Sequence, residues 1–173
     1  MSSTQSNKEL LNRLEALERE GAVRACMNRY MQLCDVLGVG FALDTLTSLF
    51  TEDAVWEGKG TRYAKTFGRY DGRSSIAAMF GKYTREPAHF ALNIHLLGNE
   101  MIVVDDENAK GSWVLMQPSE FSSGKSQLSC ARITAEFVFI KGECLIRHFQ
   151  TENIFSRPMN APWNQSAELP VPK

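Results

Sequence analysis

The sequence lacks any apolar run long enough to cross a bilayer, and it lacks a surplus of charge of either sign. Its 19 basic and 20 acidic residues leave a net charge of −1, so nucleic acids and anionic membranes are not expected partners. The opening residues, Met-Ser-Ser-Thr-Gln-Ser, lack the charged and then apolar order of a signal peptide. We therefore expect a cytoplasmic protein without a membrane segment.

Cysteine is scarce and carries no recognisable motif. The four cysteines form no Cys-x-x-Cys pair and do not have the spacing of zinc ligands. Phosphate-binding glycine motifs are missing as well. We therefore expect reduced, buried thiols, no metal site and no organic cofactor.

The pattern of apolar residues predicts one domain with helices first and strands after. At 173 residues, with 43% hydrophobic residues, the chain can bury a core of its own. Three- and four-residue spacing predicts a long helix over residues 7–36, whereas the pattern beyond Pro87 is almost all strand. This order predicts an α+β fold, in which N-terminal helices pack into a strongly curved antiparallel sheet and form a cone with an internal cavity.

The two ends of the chain differ from its body in composition. Residues 1–6 are polar and are expected to be a disordered lead, and residues 7–155 are expected to form the single domain. Four of the six prolines lie within residues 157–173. We therefore expect residues 156–173 to be an irregular tail that serves as a lid or as an arm to a neighbouring subunit.

Two of the three histidines lie close together in a predicted strand. Side chains two apart on a strand share a face, so His89, Asn93 and His95 are expected to point the same way. Asp35 lies near the end of the predicted N-terminal helix, and a carboxylate that polarises a histidine makes a general base. The alternative is a half-buried strand with one wet face and no chemistry.

Several phrases of the chain resemble a known family. They follow the N-terminal helix in this order: LFTEDAVW at residues 49–56, YDGRSSI at residues 70–76, and His89-x-x-x-Asn93. Over residues 7–155 the chain resembles the SnoaL-like branch of the cone-shaped fold shared with nuclear transport factor 2. This branch includes dehydratases, a dehydrochlorinase, formaldehyde-releasing lyases, isomerases, epoxide hydrolases and members without known activity.

The resemblance to the eliminating members implies a cofactor-independent lyase. Asp35 and His89 would form the general base and Tyr30 would assist, so that water or a small fragment such as formaldehyde leaves a hydrophobic aromatic or polycyclic substrate. The further residues expected at the substrate are Asn93, His95, Trp56, Met31, Phe50, Trp113, and one of Arg147 and His148. The alternatives are an isomerase or hydrolase in the same cavity, or a non-catalytic binding or assembly subunit.

The predicted sheet has apolar residues on both of its faces. Phe90, Leu92, Ile94 and Leu96 alternate with the polar positions of the histidine strand, and residues 126–140 are apolar on both sides. Helices can cover only the inner face, and exposed apolar surface needs cover. We therefore expect a homo-oligomer, either a trimer, as is frequent among the dehydratase-like members, or a dimer.

Overall fold

The computed structural model describes residues 3–105 and 107–163, which form four helices and seven strands. The helices are α1 (Ser3–Asp35), α2 (Leu43–Thr47), α3 (Gly60–Thr66) and α4 (Arg73–Phe80). The strands are β1 (Phe50–Lys59), β2 (Arg69–Asp71), β3 (Phe90–Asn93), β4 (Leu96–Val104), β5 (Asn108–Phe121), β6 (Ser126–Ile140) and β7 (Glu143–Met159). None of the helices in these ranges is both long and apolar enough to span a membrane.

The seven strands form one sheet in the order β2-β1-β7-β6-β5-β3, and β4 pairs with β5 as well. The sheet curls into a half-barrel with the helices packed against it, which confirms the expected α+β class. It is a mixed sheet and not a purely antiparallel one, because β1 runs parallel to β7. These two strands are joined by most of the chain, and no hairpin therefore forces them to run in opposite directions.

The core lies between the inner face of the sheet and the C-terminal half of α1. Val23, Met27, Tyr30 and Cys34 follow each other at helical spacing and are all buried. The N-terminal half of the helix has the same spacing of leucines, yet Leu10 and its neighbours are more than half exposed. Only the second half of α1 therefore packs on the sheet, and its last residue is Asp35.

The ends of the domain differ from the expected ones. Residues 3–6, expected in a disordered lead, belong to α1, and residues 156–159, expected in the tail, belong to β7. Trp163 lies against β6, where its ring nitrogen donates a hydrogen bond to the carbonyl of Gln127 at 3.4 Å. The rest of the expected tail, from residue 164, and the first two residues lie outside the described residues.

The predicted histidine strand is two strands separated by a break. β3 ends at Asn93 and β4 begins at Leu96, and the pairing of β3 with β5 shifts in register between Phe90 and Leu92. A register shift of this kind inserts an extra residue and changes the faces of the residues around it. The strict alternation expected over residues 89–96 therefore fails at Phe90, whereas His89, Asn93 and His95 lie on the same inner side, as expected.

Candidate active site

An internal cavity of about 480 Å³ lies between the helices and the inner face of the sheet. This volume is in the range of pockets that hold a small organic ligand. One wall is made of rings from α1, α3, α4, β1 and β7: Tyr30, Trp56, Tyr63, Phe67, Phe80, Tyr83 and Phe149. The opposite wall comes from β3, β5, β6 and β7 and is largely polar.

The aromatic wall is held by contacts among its rings. Trp56 stacks on Phe149 with centroids 5.6 Å apart and planes 18° apart, and Tyr30 meets Phe149 edge-on at 5.0 Å. The ring nitrogen of Trp56 donates a hydrogen bond to the hydroxyl of Tyr30 at 2.9 Å. Stacked and edge-on rings offer a flat apolar surface, which suits a ring-bearing ligand.

Asp35 and His95 form the carboxylate–histidine pair of the cavity. Asp35 Oδ1 accepts one hydrogen bond from the backbone N–H of His95 at 2.8 Å and another from its Nδ1 at 2.7 Å. Because a carboxylate only accepts, the ring hydrogen lies on Nδ1, and Nε2 keeps a free lone pair. His95 lines the cavity and its side chain is only 12% exposed, so this lone pair can serve as a base toward a bound molecule.

The structure corrects the predicted pairing of Asp35 with His89. His89 lies at the cavity edge, where its ring meets those of Tyr83, Phe90 and Phe121. Within the described residues no hydrogen bond or ion pair joins it to Asp35. The reason is the break after β3, since His95 leaves the sheet there and turns toward the end of α1. Phe90, expected on the outer face, lines the cavity too.

Tyr30 lines the cavity and is buried. Burial raises the pKa of Tyr30 well above its ordinary value, so it stays protonated. Its oxygen accepts from Trp56 at 2.9 Å, and its hydroxyl is also hydrogen-bonded to the thiol of Cys34. Burial also raises the pKa of the neighbouring Cys34 to about 12, which leaves a thiol and not a thiolate nucleophile in the cavity wall.

Of the other expected substrate-binding residues, some line the cavity and some do not. Asn93, Trp56 and Met31 line it. Phe50 and Trp113 do not. Phe50 is fully buried in the core, and the ring nitrogen of Trp113 donates to Glu100 Oε2 at 3.1 Å. These two were expected there because a buried aromatic residue was equated with a cavity wall, although most buried rings simply fill the core.

Neither Arg147 nor His148 is among the residues that line the cavity. The β6–β7 register shifts between Glu136 and Phe137, which leaves Arg147 exposed at the irregularity. His148 lies on the outer face, where its Nε2 contacts Glu57 Oε1 at 2.9 Å. Strand β7 brings Phe149 and Thr151 into the cavity instead.

The polar side chains on one wall of the cavity were not expected from the sequence. Strand β5 turns alternate residues inward, and these change from the apolar Trp113 and Leu115 to the polar Gln117 and Ser119. This change along one face was a readable signal for a polar end of the cavity. The other polar side chains that line it are Arg62, Thr66, Gln127, Ser129, Thr151 and Ser156. Over residues 3–105 and 107–163, no group of three or more potential ligands is arranged to hold a metal ion.

Comparisons with known proteins give a family and several structural neighbours. A family model of the SnoaL-like domain matches residues 15–150. A hexachlorocyclohexane dehydrochlorinase, LinA type 2, has a TM-score of 0.70 at 16% identity and covers 92% of this chain and 97% of its own. None of the curated proteins matches the sequence significantly.

Two further neighbours come from Novosphingobium aromaticivorans. One is provisionally named a scytalone dehydratase, with a TM-score of 0.69, 14% identity, and coverage of 87% of this chain and 97% of its own. The other is provisionally named an aromatic ring hydroxylase, with a TM-score of 0.71, 16% identity, and coverage of 83% and 94%. Other solved neighbours are described as NTF2-like and cystatin-like folds. Identities this low show a shared fold, and the reaction has to be argued from the site.

Proposed function

The chain belongs to the SnoaL-like domain family, and we propose that it is a cofactor-independent lyase that eliminates water or another small fragment from a ring-bearing substrate. The observation that carries this proposal is the Asp35–His95 pair, whose free ring nitrogen lies on an aromatic cavity. The names of two neighbours, a dehydrochlorinase and a provisional dehydratase, also describe eliminations.

The proposed reaction uses a single base, His95, which takes up a proton from the substrate and then gives it to the leaving group. His95 Nε2 takes a proton from a ring carbon, and the electron pair of that C–H bond forms the new double bond. Asp35 stays ionised, holds the Nδ1–H and stabilises the imidazolium while it exists. The leaving oxygen departs with its bonding electrons and takes the proton from His95, so water is released and the neutral histidine is regenerated. Tyr30 lines the cavity, and it would assist by turning its hydroxyl hydrogen from Cys34 to an oxygen of the substrate.

The two walls support a substrate with a flat apolar ring and polar substituents on one side. The ring would pack against the aromatic wall, and the substituents would face the hydroxyl and amide side chains of the sheet. When a neutral ligand of this kind binds, its apolar ring leaves water for the aromatic wall. Its polar substituents exchange hydrogen bonds with water for hydrogen bonds with the protein. A formaldehyde-releasing reaction would use the same base on a different proton. His95 would take the O–H proton of a hydroxymethyl group, that electron pair would form the C=O bond of formaldehyde, and the C–C electron pair would stay with the remaining substrate, which takes the proton back from His95.

An isomerase is a second candidate, because the aromatic wall shields the base from bulk water. In that reaction His95 returns the proton to another carbon of the same molecule, and no group leaves. A hydrolase and a binding subunit without catalysis are the remaining alternatives.

The test is hydrogen–deuterium exchange in D₂O with a panel of ring ketones and hydroxylated ring ketones, followed by NMR. Exchange next to the carbonyl reports proton abstraction without knowledge of the leaving group, and new olefinic signals then separate elimination from isomerisation. We expect exchange with the wild-type protein and none above background with His95→Ala. Exchange that is unaffected in His95→Ala would contradict the assignment of the base, and ligand binding without exchange would favour the binding subunit.

We also propose that copies of the chain associate through the outer face of the sheet. Leu96, Met101 and Val103 on β4 are each more than half exposed, and they form a row along one edge of that face. Light scattering at micromolar concentration should give the mass of a dimer or a trimer. The mass of a single chain would contradict the association.

A further inference from the structure

Asn93 is a buried polar residue whose side chain is held in one orientation. It is only 9% exposed and lies at the end of β3, opposite Ser119 of β5. Its carbonyl oxygen, Oδ1, accepts a hydrogen bond from Gln117 Nε2 at 2.8 Å and another from Ser119 Oγ at 2.8 Å. Both lone pairs of the oxygen are therefore used within the protein.

The amide nitrogen of Asn93 is in the opposite situation. Asn93 lines the cavity, and no acceptor in the described part of the chain is hydrogen-bonded to its Nδ2. Nδ2 is not among the fully enclosed unpaired atoms, which are the hydroxyls of Thr51 and Ser126 in the described residues, so it is accessible from the cavity. Two N–H bonds are therefore available to a molecule inside the cavity.

The position of this donor relative to the base suggests what it binds. Asn93 and His95 are two residues apart, so at most about 7 Å of chain separates them, and both side chains line the same cavity. A base and a hydrogen-bond donor side by side are what enolate formation requires, because the proton leaves carbon while negative charge develops on the oxygen of the adjacent carbonyl.

We propose that Asn93 Nδ2 is the donor that holds this oxygen, and that the substrate is therefore a cyclic ketone with its leaving group β to the carbonyl. This inference rests on the proposed lyase function. His95 takes the proton from the carbon next to the carbonyl, and the C–H electron pair moves through the new C=C bond onto oxygen. The oxyanion, held by Asn93, then re-forms the carbonyl, the conjugated double bond appears, and the leaving group departs with its electron pair.

Two further features fit an oxygen that gains negative charge. No aspartate or glutamate is among the described residues that line the cavity, and the carboxylate of Asp35 is bound to the backbone N–H and Nδ1 of His95. The cavity is also lined by Arg62, whose charge favours an anion. Gln117 and Ser119 act as positioning residues, because their two donors keep the carbonyl of Asn93 turned away and its N–H groups turned inward.

The experiment compares binding of 4-nitrophenolate, a stable mimic of a ring oxyanion, with binding of nitrobenzene, the same ring without the phenolic oxygen. Asn93→Asp is the sharpest variant, since its carboxylate still accepts from Gln117 and Ser119 while both N–H donors are gone. We expect its affinity for 4-nitrophenolate to fall at least about tenfold, with nitrobenzene affinity within about twofold of wild type. Ser156→Asp is the matched control, because it adds an acid to the same cavity on β7, two strands beyond β5, and it should retain most of the 4-nitrophenolate affinity.

Gln117→Glu is a second test variant, and it leaves Asn93 in place. It tests the role of the Asn93 amide even if Asn93→Asp does not fold. A glutamate accepts where the glutamine donated, so the amide of Asn93 should turn over and present its oxygen to the cavity, again with loss of 4-nitrophenolate binding. Equal 4-nitrophenolate affinity in wild type and these variants would overturn the proposal. So would a parallel loss of nitrobenzene binding, or a loss in Ser156→Asp as large as that in Asn93→Asp.

These outcomes are separate from a failure of the lyase function. Suppose that the wild-type protein exchanges deuterium into ring ketones but Asn93→Asp binds 4-nitrophenolate as tightly as the wild type. The assignment of His95 as the base then holds, and the assignment of Asn93 as the donor is wrong. If binding depends on Asn93 but no ketone exchanges, the lyase function fails, although the donor does hold an oxygen.

Discussion

Two carboxylate–histidine pairs occur in the described residues, one inside the cavity and one on the outer face of the sheet. Asp35 and His95 are 2.7 Å apart, and Glu57 and His148 are 2.9 Å apart. Residue types and separations are therefore almost the same. The surroundings differ, because the inner pair borders an aromatic cavity while His148 borders a smaller outer groove of about 220 Å³ with Met101 and Val103.

The two carboxylates also differ in what else they bind. Both hydrogen bonds of Asp35 come from His95, one from the backbone and one from the ring. Glu57 is shared, since Gln150 donates to it at 2.7 Å and Arg69 and Lys59 lie at 3.3 and 3.9 Å. A carboxylate that serves a single histidine orients a base, whereas a shared carboxylate joins strands and loops. A histidine–carboxylate distance by itself therefore does not identify an active site.

The largest expected effect separates the two histidines directly. His95→Gln should lower the rate of deuterium exchange into a ring ketone by about 10²–10⁴-fold, because a positioned base contributes about that much. His148→Gln should leave the rate within about twofold, since His148 does not line the cavity. The deuterium-exchange rates of the two variants are measured by NMR. Equal losses of rate would mean that the Asp35–His95 and Glu57–His148 pairs do not differ in function.

Removal of the carboxylate charge should have the next largest effect. In Asp35→Asn the oxygen can still accept from His95, but nothing negative then stabilises the imidazolium, so we expect about a 10²-fold loss in exchange rate. Glu57→Gln should leave the same rate unchanged. If Asp35→Asn exchanges at the wild-type rate, Asp35 only positions the ring of His95.

Tyr30→Phe tests how the inner region is held together. The variant leaves the buried N–H of Trp56 without its acceptor, which should lower the free energy of unfolding by about 1–3 kcal/mol. Tyr83→Phe is the matched control. Tyr83 lines the same cavity and stacks on Phe90, and no hydrogen bond to its hydroxyl is found among the described residues. Urea denaturation of both variants measures the difference, and equal stabilities would mean that the Trp56–Tyr30 bond contributes nothing.

The smallest effect belongs to the outer pair and depends on pH. Burial of Glu57 favours its protonated form, but hydrogen bonds from Gln150 and His148, together with Lys59 and Arg69, outweigh burial and hold the pKa of Glu57 below its ordinary value. A lowered pKa stabilises the fold above the ordinary glutamate pKa, about 4.3, and this contribution is lost as the pH falls through the lowered value. Glu57→Gln should therefore cost about 1 kcal/mol at neutral pH, and the cost should shrink below about pH 4.

The control for this measurement is Glu136→Gln. Glu136 pairs with Lys110 at 2.8 Å on the same face but is 42% exposed, so the loss should be smaller than in Glu57→Gln. A cost for Glu57→Gln that stays constant from neutral pH to pH 3 would show that its charge has no part in stability.

The parts of the molecule that could be predicted from sequence are those with a regular period. Helical spacing predicted a long helix over residues 7–36, and α1 spans Ser3–Asp35, with Asp35 hydrogen-bonded to a histidine at its end. The partner histidine was wrong, because the break at residues 94–95 has no glycine or proline to signal it. Alternation put His89, Asn93 and His95 on one face, and the family resemblance selected His89, whereas the two-residue break brings His95 to Asp35.

Irregular strand pairing also explains why the expected cavity residue on β7 was wrong. Arg147 and His148 were expected to include one cavity residue because neighbours on a strand face opposite ways, and that rule holds only where the ladder is regular. The register of β7 against β6 shifts at this point, and Phe149 is the next side chain to face inward. Bulges depend on the pairing of distant strands, and a single sequence gives little information about them.

The parallel pairing of β1 with β7 has a consequence for how the protein reaches its folded state. Glu57 and Gln150, joined by a hydrogen bond across these strands, are 93 residues apart in the chain. Contacts between such distant residues slow folding, because a long loop must be closed before the contact gives any stabilisation. During synthesis Asp35 and His95 emerge well before β7, which supplies Phe149 and Thr151 to the cavity. The base can therefore be paired early, but the chamber around it is completed only when the last strand has been made.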